Sequence, residues 1–318
     1  MAITNSKSLR GYAYIAVATF CWGVSASLGR AAFTGRLFRS WGIHEIDPLI
    51  LSQSRITLAF LVILPILILS RGWRRLRIPM ADFGQLFLVG VLGVAASNYF
   101  YYMAIERTNV ATAITVQYTA PIWVLLYMAA KGLQKATLRR VIAVLLALVG
   151  IALVIGLFTS SRFHAEPVGV VAALLAAFAF AFYNIGGHSM LARYDHWMVL
   201  LYLTLSATIF WNAINPPWRV AAQHYSAGSW AFLLIFSLIS MLAPYSFYIA
   251  GLRYLDPTRA VVTSCLEPVF SIVIAAVTLG ELVRPLQAVG ILLVLSAIVV
   301  VQMPDKRSGE PVLVEPME

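Results

Sequence analysis

Residues 98–123 read NYFYYMAIERTNVATAITVQYTAPIW, and residues 245–270 read YSFYIAGLRYLDPTRAVVTSCLEPVF. Laid over one another at an offset of 147, Phe100 meets Phe247, Tyr101 meets Tyr248, Ala113 meets Ala260 and Pro121 meets Pro268. The register runs without a gap over 98–148 against 245–295, and a match of that length means that the chain builds one structural unit twice.

The match extends outward. At an offset of 158, Gly11 meets Gly169, Ala18 meets Ala176, Phe20 meets Phe178 and Gly29 meets Gly187. The longer first loop at 35–48, set against the short connection at 193–196, absorbs most of the 11-residue difference between the two offsets.

Of 318 residues, 61% are apolar and 11% charged, against about 45–50% and about 25% in a soluble domain. The bilayer is the solvent this composition calls for. Apolar runs at 12–33, 49–70, 83–104, 109–130, 138–158, 168–190, 197–215, 229–251, 257–279 and 285–303 each approach the about 20 residues that a spanning helix needs. Runs such as 141–157 do not alternate apolar with polar, which excludes a membrane β-barrel. The fold class expected is therefore all-α integral membrane, with ten transmembrane helices. The first is read as a retained helix behind Lys7 and Arg10, since its apolar run is too long for a signal peptide.

The net charge of +10 reflects topology rather than nucleic acid, because the excess sits in short connections. With the N-terminus inside, the internal segments hold fifteen Lys and Arg: Lys7, Arg10, Arg71, Arg74, Arg75, Arg77, Lys131, Lys135, Arg139, Arg140, Arg193, Arg253, Arg259, Lys306 and Arg307. The external segments hold six, at Arg36, Arg39, Arg107, Arg162, Arg219 and Arg284. This bias places both termini in the cytoplasm. Five helices per copy is an odd number, so the second copy enters the membrane in the opposite sense. The expected organisation is a first five-helix repeat within 1–160, a second within 161–304 and a polar tail at 305–318. An inverted repeat of this kind is the signature of a secondary transporter.

The stretch LRYLDPTRAVVTSCLEPVFSIVIAAVTLGE (252–281) closely resembles the second-repeat signature of EamA-type transporters in the drug/metabolite transporter superfamily, with 111–123 a weaker first-repeat relative. The resemblance covers nearly the whole chain. It implies alternating access through a central cavity, and commonly export of amino acids or related small metabolites across the inner (plasma) membrane. The first half departs from the pattern: Ala120 stands where Glu267 has its counterpart, and Leu133 and Gln134 stand where Gly280 and Glu281 do.

Several side chains are candidates for the work. Glu267 lies about ten residues from either end of its span, near the midplane, where a charge costs at least about 2.5–3.5 kcal/mol. It is expected to bind a substrate ammonium or carry a coupling proton, or else to satisfy backbone groups freed by Pro268. Pro121 and Pro268 occupy equivalent mid-span positions suited to gating. Asn98, Tyr101 and Tyr102 share one helix face, and Tyr245 and Tyr248 take related places, forming a wall that suits an amphipathic or ammonium-bearing metabolite. Trp22, Ser25, Thr115, Tyr118, Tyr183, Asn184 and Ser264 complete the expected substrate-binding set. The hydroxyls of Thr108, Thr112, Thr115, Thr119, Ser264 and Ser271 are expected to bond between helices, His188 to sit hydrogen-bonded near a span end, and Arg30 and Arg55 to snorkel outward.

An intramembrane enzyme or a non-transporting receptor is the competing class. The sequence has no HExxH (His44-Glu45 is followed by Ile46-Asp47), no phosphate-binding loop, no GxSxG and no carboxylate pair. Cys21 and Cys265 lie in separate apolar runs, which suits packing and neither a disulfide framework nor a metal site. No cofactor or metal is expected. The expected partners are a small-molecule substrate and the lipid bilayer, with substrate identity, coupling ion and oligomeric state left open.

Overall fold

Backbone polar groups have no water to bond in hydrocarbon, so each apolar run satisfies them internally by coiling. The computed structural model describes residues 2–34, 46, 48–108, 110–155, 166–279 and 284–303, and these form helices joined by short turns and connections, with no strand among them. The elements are α1 (Ala2–Thr34), α2 (Pro48–Arg71), α3 (Met80–Leu88), α4 (Ala96–Arg107), α5 (Val110–Gln117), α6 (Ala120–Ala130), α7 (Leu138–Val154), α8 (Pro167–Met190), α9 (His196–Ile214), α10 (Pro217–Ala221), α11 (Ala227–Ser237), α12 (Ala243–Leu252), α13 (Pro257–Ser264), α14 (Leu266–Leu279) and α15 (Pro285–Gln302). Among the described residues, eight helical stretches are long and apolar enough to cross a membrane; α1 and α7 stand outside that set. Leu61, Ile66, Leu69, Leu145 and Leu292 point outward from the bundle, as lipid-facing residues should.

Helix starts follow local chemistry. Asp195 accepts the backbone N–H groups of Trp197 and Met198 at 2.9 and 3.4 Å, capping α9. Asp256 accepts that of Arg259 at 2.9 Å, capping α13, and Pro257 takes the first helical position, where its missing N–H costs nothing.

Two runs expected as continuous helices are broken. The run at 109–130 is interrupted at Tyr118–Thr119, between α5 and α6, and the run at 257–279 at Cys265, between α13 and α14. Proline has no N–H and its ring clashes with the carbonyl four residues back. For Pro121 and Pro268 those residues are Gln117 and Ser264, the last residues of α5 and α13. The breaks therefore fall at Tyr118 and Cys265, which are 147 residues apart.

A second distortion recurs in the same way. α3 continues into α4 through a π-helical segment at Val89–Ala95, and α11 into α12 through one at Leu238–Leu242. Shifted by 147, the second segment overlies residues 91–95. Wide turns of this kind collect at functional positions in helices.

Packing repeats the pattern. α1 lies along α12 and α14, α8 lies along α4 and α5, α2 pairs with α9 and α7 with α15. Equivalent glycines permit equivalent approaches. A Cβ on Gly11 would come within 2.7 and 2.9 Å of Leu255 and Tyr254, and one on Gly169 within 2.4 and 2.9 Å of Thr108 and Arg107. Those neighbours are themselves related by the 147-residue offset.

Candidate functional site

The broken helices bring Tyr118, buried at the break that follows α5, to Glu267 in the first turn of α14. The Tyr118 hydroxyl donates to Glu267 Oε2 at 2.7 Å and lies 3.5 Å from the Ser264 carbonyl. Pro268 deprives that same carbonyl of its helical donor. One tyrosine from the first half thus engages both the carboxylate and the freed backbone of the second. The carboxylate that could have served only the Pro268 backbone instead accepts a side chain from across the molecule.

An aromatic wall adjoins this bond. Trp22 on α1 packs against Tyr245 and Tyr248 on α12, with ring centroids 5.4 and 5.3 Å apart. Tyr183 on α8 lies 5.7 and 6.0 Å from the same two rings. The Tyr248 hydroxyl donates to Asn184 Oδ1 at 2.6 Å, and Asn184 Nδ2 donates to the Phe180 carbonyl at 2.8 Å. These rings bury their edges against one another in offset and edge-on geometries that aromatic quadrupoles favour.

The opposite side is polar and carries a cation. Arg55 on α2 is 9% exposed, and its Nη2 donates to Asn98 Oδ1 at 2.5 Å. Asn98 in turn donates to the Val94 carbonyl at 2.7 Å, inside the first π-helical segment. Ser237, just before the second such segment, donates to the Arg55 carbonyl at 2.6 Å. The expectation that Arg55 snorkels to the membrane surface is overturned. α2 turns this side chain into the bundle, where Asn98 receives it, and lipid contact is left to the apolar face of the helix. The signal available beforehand was the polar run Ser52-Gln53-Ser54-Arg55 in an otherwise apolar span. Gln53 confirms what that face does, donating to Asn212 Oδ1 and the Asn215 carbonyl at 2.9 and 2.6 Å and accepting from Asn215 Nδ2 at 2.7 Å.

The structure thus gathers Trp22, Asn98, Tyr118, Tyr183, Asn184, Tyr245, Tyr248, Ser264 and Glu267 in the bundle interior or its lining. Tyr101, the repeat partner of Tyr248, is half-buried and packs against Ala104, Ala113, Ala172 and Ala173. Ser25 is buried and donates to the Trp22 carbonyl at 2.9 Å. Thr115 is half-buried on α5. The side chains of Tyr102, Arg30 and Thr112 lie outside those described, as do Glu281 and the tail at 305–318.

Four hydroxyls of the stripes find partners on their own helices. Thr108, Thr119, Ser264 and Ser271 donate to carbonyls of their own helices at 2.7, 2.7, 2.7 and 3.0 Å. A carbonyl three or four residues back is always in reach, whereas a partner on another helix has to be positioned by packing. His188 meets its expectation, with Nδ1 2.9 Å from the Leu252 carbonyl.

At one end of the bundle, polar pairs join the halves. Arg71 pairs with Asp195, Arg193 with Asp82, and Arg140 approaches Asp256 at 3.9 Å. Thr258 donates to Gln134 at 2.8 Å. Burial would raise the Asp195 carboxyl, but the Arg71 guanidinium and the two capping N–H groups outweigh it and hold the carboxyl below the ordinary aspartate value. At the opposite end Arg107 faces Glu166 at 3.6 Å.

Comparisons with known proteins bear on this arrangement. The sequence profile of the EamA-like transporter family matches residues 9–156 and again 167–303. An uncharacterized transporter of Archaeoglobus fulgidus is 27% identical over 259 residues, which are 77% of this chain and 84% of the relative. The threonine/homoserine exporter RhtA of Escherichia coli (strain K12) is 25% identical over 228 residues, 71% of this chain and 70% of RhtA. A protein crystal structure shares the fold with a TM-score of 0.73 at 19% identity, over 94% of this chain and 96% of that one. Matched twice by the profile, built of membrane-length apolar helices and related along most of its length to transporters rather than enzymes, this chain belongs to the EamA-like transporter family, in the drug/metabolite transporter superfamily, and is a multi-pass transporter of the plasma membrane.

Proposed function

We propose that the chain is a secondary active transporter that exports amino acids or related small metabolites by alternating access. Its architecture in this reading is ten spans in two inverted five-helix repeats, at 1–160 and 161–304, with both termini and the polar tail at 305–318 cytoplasmic. The charge bias of the connections, the recurrence of both helix distortions at an offset of 147 and the paired glycine contacts support it.

The observation that carries the functional reading is the Tyr118–Glu267 bond between two broken helices, one from each half. Interrupted helices near the midplane are where secondary carriers hold substrate and coupling ion. The substrate is taken to sit between Trp22, Tyr245 and Tyr248 on one side and Asn98 and Tyr118 on the other, with Ser25, Tyr101, Tyr102, Thr115, Tyr183, Asn184 and Ser264 around it. Glu267 couples or gates, and Pro121 and Pro268 provide the flexing points. Amino acids are the favoured class because aromatic faces and a midplane carboxylate attract an ammonium, and RhtA is named for such substrates.

The test is counterflow. Proteoliposomes containing the purified protein and preloaded with an unlabelled neutral L-amino acid should accumulate the labelled form transiently. Absence of counterflow across the neutral amino acids, with the protein inserted and monodisperse, would overturn the assignment.

A further inference from the structure

Arg55 presents an imbalance that its neighbours do not resolve. It is a permanent cation buried in the bundle, and among the described residues its side chain donates to Asn98, a neutral amide. No carboxylate among the described residues forms an ion pair with it. Among the described residues its buried Nε finds no hydrogen-bond partner, nor do the Tyr183 hydroxyl and Trp211 Nε1. Glu267 accepts the Tyr118 hydroxyl at its Oε2 rather than pairing with Arg55. Burying a charge without a counter-charge is costly, so an intramembrane guanidinium of this kind signals an anion to be bound.

The backbone around it is built to hold it in place. Asn98 anchors to one π-helical segment, and Ser237 at the edge of the other grips the Arg55 carbonyl. A guanidinium offers five donors in a planar fork that matches a carboxylate bidentately.

We propose that Arg55 receives the carboxylate of the substrate while Glu267 faces its ammonium, so that the site selects zwitterionic amino acids by both charges. The proposal rests on the carrier reading above and names its specificity-determining residue. A decarboxylated or amidated analogue keeps the ammonium and side chain but leaves the Arg55 fork unmatched.

The experiment is binding of tritiated neutral L-amino acids to the full-length protein in lipid nanodiscs, with the corresponding amino-acid amides as competitors and counterflow run in parallel. The amides should compete about ten- to a hundredfold more weakly than the acids, the range expected for losing hydrogen bonds to a charged group. Arg55→Gln should lose acid binding by a similar factor. Asn98→Asp guards against a folding defect, because it supplies Arg55 with an internal carboxylate. It should keep the wild-type thermal midpoint while losing binding. Amides competing as well as acids, or Asn98→Asp binding normally, would overturn the role of Arg55 while counterflow leaves the carrier standing. No binding and no counterflow for any amino acid would overturn both.

Discussion

Tyr118 and Glu267, 149 positions apart, are joined by a 2.7 Å hydrogen bond between the break of one helix and the first turn of another. Because the two residues belong to different halves, any movement of one half against the other has to preserve this bond or exchange it. The Glu267→Gln variant keeps an acceptor oxygen for Tyr118 but removes the charge. It should insert with a near-native thermal midpoint, retain exchange of substrate and lose flux driven by a pH gradient. Wild-type gradient-driven flux would remove Glu267 from coupling. Tyr118→Phe, which leaves the half-buried carboxylate without its donor, should cost about 1–3 kcal/mol in thermal or denaturant unfolding.

Tyr248 is fully buried between α1 and α8, whereas Tyr101, its counterpart in the first repeat, is only half-buried. Tyr248→Ala opens a cavity and should cost roughly 3–5 kcal/mol, as truncation of a large aromatic does. Tyr101→Ala should cost less. Both should transport more weakly at equal membrane insertion, measured by counterflow per inserted molecule. Unchanged transport in both would take the aromatic residues out of the substrate path.

α7 and α15 touch through glycines. A Cβ on Gly290 would lie 2.6 Å from the Gly150 carbonyl oxygen, and backbone cannot yield cheaply. Gly290→Val should therefore destabilise by about 1–3 kcal/mol. Gly84, within α3, has nothing within 4 Å of such an atom. Gly84→Ala should raise stability by about 0.5–1 kcal/mol through the lower entropy cost of ordering the helix. Equal thermal midpoints for the two variants would contradict the packing described for the α7–α15 pair.

Asp195 serves both as the cap of α9 and as the partner of Arg71. Asparagine caps as well as aspartate, so Asp195→Asn isolates the ion pair, whose partners are about one-third exposed and which is worth at most about 1 kcal/mol. Asp195→Ala loses the cap as well and should cost about 1 kcal/mol more. The carboxyl sits below its ordinary value in the folded protein, so the unfolded chain binds the proton more tightly. The contribution is complete above the unfolded value, near 3.8, and fades as pH falls through the folded one. The difference between wild type and Asp195→Asn should accordingly vanish under acid conditions in a pH series of unfolding midpoints.

The legibility of the site varied with how local its physics is. The paired prolines were visible because a missing N–H acts on the residue four back wherever the helix sits, and both breaks fall there. His188 was legible as a hydrogen-bonded residue near a span end, whereas Asn184 and Tyr248, read as substrate contacts, are bonded to each other. Arg55 was not legible. Its distance from the span end suits snorkelling, and only the rotation of α2 against α9 and α11 turns it inward. Four hydroxyls of the stripes bond to their own helices, since a polar face is equally well satisfied there.

Composition and run length alone established a helical membrane protein, and self-similarity at 147 and 158 established that its halves are copies. Both follow from properties that add up along the chain: hydrophobicity per residue, helical rise and the backbone chemistry of proline. Which copies of equivalent residues meet was decided only in three dimensions. Tyr118 finds Glu267 where the repeat offers Cys265 and Ala120 as the equivalents, and Tyr248 is fully buried where Tyr101 is only half-buried. The reason is that contacts between helices depend on rotation and depth set by many side chains together, so two halves with one ancestral pattern settle into unequal surroundings, and the unequal residues are the ones left facing the site.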